Sequence, residues 1–233
     1  MSASVLAEGI LPAATPSEPV TSPGESAKMS IAASLTLIGA AALFSVVARR
    51  VATKQADPTD TELADLALAN QSPVIDTLCK PVTALSMPPV VVAATAGLAW
   101  WLYRKERRAA ALVVALTPVA AAAVGQSFTM LFPQKNPPDK VDAPAGEAEA
   151  TFPSGHTTGV TAEALAVAYI LSAEKLASWR MVLALLMWPF VVGISRLYRR
   201  RHWLSDVQAG WLAGTAVAAA SVLGYERMRD RRS

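Results

Sequence analysis

The sequence predicts an all-α polytopic membrane protein, folded as a bundle of six transmembrane helices. Hydrophobic residues make up 53% of the 233 residues and charged residues only 17%, whereas soluble domains carry about 25% charged residues. The apolar residues gather in long blocks, and about 20 residues of helix cross a bilayer core of about 30 Å. The single cysteine excludes an internal disulfide, and the net charge of +3 gives no indication of nucleic-acid binding.

The predicted spans are six apolar blocks, Met29–Val47, Val82–Tyr103, Ala109–Phe132, Thr157–Leu171, Trp179–Tyr198 and Trp203–Tyr225. Together they form one membrane domain over residues 29–225. The fourth block is short and contains Glu163, so hydropathy alone ranks it weakest; we expect this carboxyl to be neutral or hydrogen-bonded inside the bundle. Gly210 and Gly214 in the sixth block have the GxxxG spacing that permits close helix contact, and we interpret them as a packing pair.

The segments that flank the spans are predicted to be polar. Residues 1–28 are rich in Ser, Pro, Ala and Glu, cannot bury a core, and are expected to be a disordered tail. After Asp57, leucines at helical spacing among acidic residues predict a short amphipathic helix on the membrane surface. Pro73 and Pro81 are expected to end or interrupt this helix before the second span. Residues 226–233 are interpreted as a basic cytoplasmic tail.

His156 and His202 are the only two histidines, and both fall at the same predicted membrane edge, after the third and fifth spans. If Trp203 begins the sixth helix, His202 and Asp206 lie four residues apart on one face. The carboxylate can then hold the proton of one imidazole nitrogen and leave the other nitrogen free to attack. For this loop alone, an ion pair that only anchors the helix is an equally good interpretation.

The second polar loop ends with Ser154, Gly155 and His156, directly before the fourth span. A Ser-Gly pair at a helix start presents a hydroxyl and unobstructed N–H groups, which together with the helix dipole make an anion site. In isolation, a serine N-cap after a turn proline is the favoured interpretation. Two histidines, the Arg196 guanidinium and an anion cradle on one side of the membrane can nevertheless converge on one phosphate-sized group, which predicts phosphoryl transfer.

The two loops carry recognisable motifs. Residues 153–156 read PSGH and residues 195–206 read SRLYRRRHWLSD. They resemble the second and third signature motifs of the type 2 phosphatidic acid phosphatase (PAP2) superfamily, which includes lipid phosphate phosphatases, bacterial undecaprenyl pyrophosphate phosphatases and vanadium haloperoxidases. Membrane members of that superfamily have six helices, with these motifs before helix four and before helix six.

The resemblance implies a metal-independent phosphatase, without a cofactor, acting on a lipid phosphate or polyprenyl pyrophosphate that enters from the bilayer. His202 would form a phosphohistidine, Asp206 would orient it, and His156 would protonate the leaving group and then activate water. The phosphate oxygens would be held by Arg196, Ser154 and the backbone of Gly155. The sequence leaves the oligomeric state open.

The first motif of the family, a lysine followed after six residues by Arg-Pro, is degraded. Alignment on Pro137 puts Thr129 at the lysine and Asn136 at the arginine, although a charge-assisted hydrogen bond from either cation to phosphate is normally worth about 1.5–3 kcal/mol. We hypothesise that Lys135, the nearest cation, replaces the charge. Lys140 and the run 199–201 are alternatives, although such an arginine run more often faces solvent or headgroups. A phosphotransferase with the same intermediate, or a lipid-binding protein with weak or no turnover, also stays open.

Basic residues suggest an orientation. Six spans place both termini on one side, and Lys and Arg are almost equally divided between the two sides. Once the two loops interpreted as catalytic are set aside, the excess lies on the side of the termini, although Arg49 and Arg50 favour the reverse. The positive-inside rule therefore predicts cytoplasmic termini. We expect a bacterial inner-membrane protein, because the chain is rich in Ala and Arg, with its site on the periplasmic side.

Overall fold

The computed structural model describes residues 23–53, 58–132, 134, 137 and 152–231, and every regular element in these ranges is a helix. The eight helices are α1 Pro23–Ala52, α2 Pro58–Ala69, α3 Pro73–Leu85, α4 Pro88–Arg104, α5 Arg108–Leu131, α6 Gly155–Ala173, α7 Trp179–Tyr198 and α8 Leu204–Asp230. Four of them, α1, α5, α7 and α8, are long and apolar enough to cross a membrane. The pair α3 and α4, bent by 51° at its break, supplies a fifth candidate. The all-α membrane fold is therefore confirmed.

The central helix is α6, which corresponds to the predicted fourth span and begins two residues earlier, at Gly155. It is not among the candidate spans found by length and apolarity within the described ranges. Helices α5, α7 and α8 all pack against α6. Because α6 is surrounded by protein, it carries small residues in place of the large apolar residues that lipid contact favours. Glu163 is 6% exposed, and neither of its carboxyl oxygens has a hydrogen-bond partner in the part of the chain described. Of the two expected states, the hydrogen-bonded carboxyl is therefore not found, and the neutral carboxyl stays a prediction.

Both ends of the membrane domain extend further than the sequence predicted. Helix α1 begins at Pro23, so the expectation of disorder is wrong for residues 23–28, while residues 1–22 lie outside the described ranges. Ser26 Oγ donates to Glu226 Oε2 at 3.0 Å and to Asp230 Oδ1 at 2.6 Å. These bonds join the first turn of α1 to the last turns of α8. The predicted basic tail is accordingly helical as far as Asp230.

The predicted surface helix is divided into α2 and α3, and Pro81 lies inside α3 instead of ending it. The predicted second span is broken between α3 and α4. Met87 is extended, with φ −64° and ψ 137°, because a proline at the next position disfavours helical backbone. Only Pro88–Arg104 of that span continues as α4.

The GxxxG pair fixes how closely α6 and α8 approach each other. A Cβ atom on Gly210 would lie 2.8 Å from the Thr157 Cβ atom, and one on Gly214 would lie 2.6 Å from the carbonyl oxygen of Thr158. Real Cβ atoms essentially never come within 3.0 Å of another heavy atom, so both positions require glycine. The packing interpretation of the pair is confirmed, and it sets the first turn of α6 against α8.

Candidate active site

The start of α8 places His202 and Asp206 side by side. Trp203 is the N-cap, and its N–H donates to Asp206 Oδ2 at 3.0 Å. The same oxygen lies 3.4 Å from His202 Nδ1. The Asp206 side chain is completely buried, whereas that of His202 is 11% exposed. A buried carboxylate here favours a proton on Nδ1 and leaves Nε2 as the unprotonated, nucleophilic nitrogen. The predicted pairing of the two side chains is confirmed, although His202 precedes the N-cap of α8 and so lies outside the helix.

The PSGH loop is tied to the same turn of α8. The Ser154 N–H donates to the carbonyl of Asp206 at 3.1 Å. Phe152 is fully buried and its ring packs 5.9 Å from that of Phe44 and 5.6 Å from that of Phe132. An aromatic anchor and one backbone bond therefore hold the two motifs together.

Ser154 has a structural role that one of the sequence interpretations predicted. It is the N-cap of α6, and its Oγ accepts a bond from the N–H of Thr157 at 3.4 Å and lies 3.0 Å from Thr157 Oγ1. The serine is 0% exposed, whereas the next residue, Gly155, is exposed. The surface at this helix start is therefore backbone, with the hydroxyl beneath it.

His156, Arg196 and His202 converge at this end of the bundle. Arg196 lies in the last turn of α7 and is 6% exposed. The pKa of His156 falls to about 3, first because partial burial disfavours the charged ring and then because Arg196, His202 and Arg201 nearby make a further positive charge unfavourable. Such electrostatic coupling requires that these groups lie close together, so both motifs contribute to one site. Because its pKa is lowered, His156 is neutral before an anion binds.

The end of α7 turns back on itself at Arg200. The N–H of Arg200 donates to the carbonyl of Leu197, and that of Arg201 donates to the carbonyl of Arg196, both at 3.0 Å. This pair of bonds is a Schellman motif, whose penultimate residue adopts left-handed backbone. Arg200 has φ 53°, where glycine is the usual residue.

Arg199 is held by α3. Its Nε lies 3.2 Å from Asp76 Oδ1, and its Nη1 donates to Thr83 Oγ1 at 3.2 Å. Arg199 is 5% exposed and Arg200 only 2%. The expectation that this run faces solvent or headgroups is therefore wrong for these two arginines. The reason is that α3 covers the loop. The periodicity of the α3 sequence had instead suggested that this helix lies on the membrane surface.

The connection from α2 to α3 is also bonded to the catalytic loops. The Ser72 N–H donates to the Tyr198 hydroxyl at 2.6 Å. Ser205 donates from its N–H and from its Oγ to the Asp60 carboxylate, at 2.8 and 2.7 Å. Sequence reasoning missed Asp60 and Asp76, and the signal that could have found them was an acidic residue in the first turn of each amphipathic helix.

We expect Asp76→Ala to loosen the catalytic loop. The change removes the ion pair of Arg199, which lowers the free energy of unfolding by about 1–3 kcal/mol and the catalytic constant by about tenfold through misplacement of His202. Asp65→Ala, an exposed position on α2, is the control. Melting temperature and turnover of the purified variants measure both effects, and equal behaviour of the two variants would contradict the role given to Asp76.

The comparisons with known proteins agree with this geometry. The family model of the PAP2 superfamily matches residues 126–230, which include both loops. The matched region, slightly under half of the chain, is therefore similar to the PAP2 superfamily. The relative with the curated name lipid A 1-phosphatase, from Porphyromonas gingivalis, is 39% identical over 82 residues. That match covers 35% of this chain and 17% of the relative.

Two solved structures share the PAP2 fold with this chain. A transmembrane PAP2-type phosphatidylglycerolphosphate phosphatase of Bacillus subtilis superposes with a TM-score of 0.71 at 16% identity, over 84% of this chain and 96% of its own. The LpxE protein of Aquifex aeolicus gives 0.52 at 23% identity, over 69% and 93%. At these identities the likeness establishes the fold alone. The chain is a multi-pass membrane protein of PAP2 architecture.

A groove of about 260 Å³ lies between α4, α5 and α6. Gly155 and His156 line it, and its wall is mostly apolar, with Ala121 and Val160 among the lining residues. Thr129, which aligns with the first-motif lysine, also lines it. The groove is therefore uncharged where the family pattern has a cation. Lys135 and Asn136 lie outside the described residues.

The buried histidine predicts a dependence of stability on pH. An unfolded chain protonates His156 near its ordinary pKa of 6.5, whereas the folded chain, with the pKa at about 3, does not. Below pH 6.5 the unfolded chain binds a proton at His156 that the folded chain does not bind. The free energy of unfolding is therefore unaffected by this group above pH 6.5 and decreases as the pH falls below it. We expect the melting temperature to drop more between pH 7 and pH 5 in wild type than in His156→Gln. Parallel curves would contradict a depressed pKa.

Proposed function

We propose that this chain is an integral membrane phosphatase that hydrolyses a lipid phosphate or a polyprenyl pyrophosphate through a phosphohistidine. The observation that carries the proposal is the contact of His202 Nδ1 with the buried Asp206 carboxylate at 3.4 Å. His156 and Arg196 lie at the same end of the bundle, and His156 also lines an apolar groove. An oriented nucleophile, an acid and base group, and a cation are the parts that phosphoryl transfer requires.

In the first step, His202 Nε2 attacks phosphorus while the bond from phosphorus to the lipid oxygen breaks. The leaving oxygen takes a proton from His156. His156 is neutral in the empty site, and the negative charge of a bound phosphate raises its pKa, so substrate binding itself brings the proton that the step uses. Asp206 stabilises the positive charge on the His202 ring.

In the second step, His156 removes a proton from water, and the resulting hydroxide attacks phosphorus. The nitrogen–phosphorus bond breaks, inorganic phosphate leaves, and His202 is restored. The charged oxygens are held in both steps by Arg196 and by the N–H groups at the start of α6, where Gly155 leaves the backbone exposed. Contacts from Ser154 and Lys135 stay predictions.

A hydrocarbon tail accounts for the groove. Its wall is mostly apolar and includes His156, so a lipid can enter sideways from the bilayer with its phosphate at this histidine. The relatives named above carry names of phosphatases acting on lipid A or phosphatidylglycerolphosphate, which supports a lipid substrate class. With cytoplasmic termini, the site faces the periplasm of a bacterial inner membrane.

Phosphate release by the detergent-purified protein tests the function. The panel contains undecaprenyl pyrophosphate, phosphatidic acid and phosphatidylglycerophosphate, each with EDTA present, since the proposed steps use no metal. We expect release from at least one lipid. Added alcohols serve as acceptors, and their phosphorylation in place of water would identify a phosphotransferase. An absence of turnover with every lipid and acceptor would overturn the enzymatic proposal.

A further inference from the structure

The site lacks both first-motif cations, yet it contains arginines that the family pattern does not require. Three consecutive arginines, residues 199–201, fill the spacer between Arg196 and His202. Arg199 is committed to α3 through Asp76 and Thr83. The other two arginines need a different explanation.

Arg200 is a buried cation with unsatisfied donors. It is 2% exposed, and its Nε and Nη1 atoms are buried with no hydrogen-bond partner in the part of the chain described. A guanidinium in this condition is costly unless an anion joins it. Its backbone is also in the left-handed region, at φ 53°, where a residue other than glycine stores strain. Unsatisfied charge and strain at one residue are typical of functional positions.

Arg201 lies on the histidine side of the same turn. Its N–H is fixed to the carbonyl of Arg196 at 3.0 Å, and it directly precedes His202. Its positive charge is one of those that lower the pKa of His156. Arg201 therefore lies in the turn that joins Arg196 to His202, at the end of the bundle that carries both histidines.

We propose that Arg200 and Arg201 form an anion subsite beside the two catalytic histidines, which binds the charged oxygens of the substrate phosphate in place of the missing first-motif cations. This inference rests on the proposed phosphatase function and specifies how the site binds its substrate. Two guanidiniums from the third motif supply what a lysine and an arginine of the first motif supply elsewhere in the family, and bidentate geometry suits phosphate.

The Schellman motif allows a test that separates binding from folding. Arg200→Gly removes the cation but installs the residue that the left-handed backbone favours, so the fold is expected to keep its melting temperature. Lys175→Gly is the matched control. Lys175 has φ 57° and closes the same motif at the end of α6, where Lys175 and Leu176 donate to Ser172 and Leu171.

Two readouts on the purified protein are expected to separate these variants. Arg200→Gly and Arg201→Gln should each lower kcat/KM for the preferred lipid about tenfold or more, mainly through KM. Arg200→Lys keeps the charge but loses the bidentate geometry, so its kcat/KM should lie between those of wild type and Arg200→Gly, whereas Lys175→Gly should match wild type. Inorganic phosphate should raise the melting temperature of wild type and Lys175→Gly but much less that of Arg200→Gly.

The outcomes distinguish the two levels of the proposal. Wild-type kcat/KM and a full phosphate-induced rise in melting temperature in Arg200→Gly would overturn the subsite while leaving the phosphatase function intact. If wild type hydrolyses no lipid, the function fails, and the phosphate-dependent melting temperatures alone decide the subsite. A fall in melting temperature of Arg200→Gly with unchanged kcat/KM would make Arg200 a packing residue and contradict the inference.

Discussion

His202→Ala is expected to lower phosphate release by at least about 10⁴-fold, the reduction typical of removing a nucleophile from a catalytic unit. The reason is that His202 has a buried carboxylate 3.4 Å from one ring nitrogen, which leaves the second nitrogen for attack. Initial rates with the preferred lipid measure the effect. Residual turnover within tenfold of wild type would exclude His202 as the nucleophile.

Asp206→Asn is the informative companion to that variant. The amide oxygen can still accept the N–H of Trp203 and cap α8, but it no longer carries the charge that stabilises the His202 ring. We expect an intermediate reduction of about 10²- to 10⁴-fold, with little change in melting temperature. A fall in melting temperature that matched the fall in rate would assign Asp206 to folding alone.

Gly214→Ala is expected to lower the free energy of unfolding. The new methyl group would lie 2.6 Å from the carbonyl oxygen of Thr158, so α6 and α8 must separate, at about 1–3 kcal/mol for an overpacked contact. Gly224→Ala in the same helix meets nothing within 4 Å and should stabilise the helix by up to about 1 kcal/mol. Thermal unfolding in detergent measures both variants. Shifts of the same sign would contradict the close helix contact.

The placement of the candidate site residues was readable from the sequence because it depends on local spacing. His202 and Asp206 are one helical turn apart, and Ser154 and Gly155 directly precede the helix that carries His156. Such relations hold once the helices form, whatever surrounds them. The GxxxG pair was predicted for the same reason, since its two members always share one face.

The covering helices could not be predicted in the same way. An apolar stripe among acidic residues fits a membrane surface as well as a protein surface, and only the tertiary structure places α3 over Arg199. The extents of α1 and α8 were predicted incorrectly for a related reason. The hydrogen bonds of Ser26 with Glu226 and Asp230 join residues that are 200 or more positions apart in the sequence. Polar composition alone suggested free tails.

The turn at Arg200 could not be predicted from the sequence, because arginine is not a residue that indicates left-handed backbone. Left-handed backbone is inferred from glycine or asparagine, and a run of three arginines gives no such indication. A basic run is instead typical of a headgroup-facing surface. The burial of Arg199 and Arg200 therefore emerges only from the folded chain.

Trapping the phosphorylated protein tests the central claim most directly. The purified protein is mixed with the preferred lipid carrying a radioactive phosphate, stopped with alkali, in which phosphohistidine is stable, and digested for mass spectrometry. We expect label on the peptide that contains His202, and none in His202→Ala. Label on another residue, or label that persists in His202→Ala, would contradict the phosphohistidine mechanism.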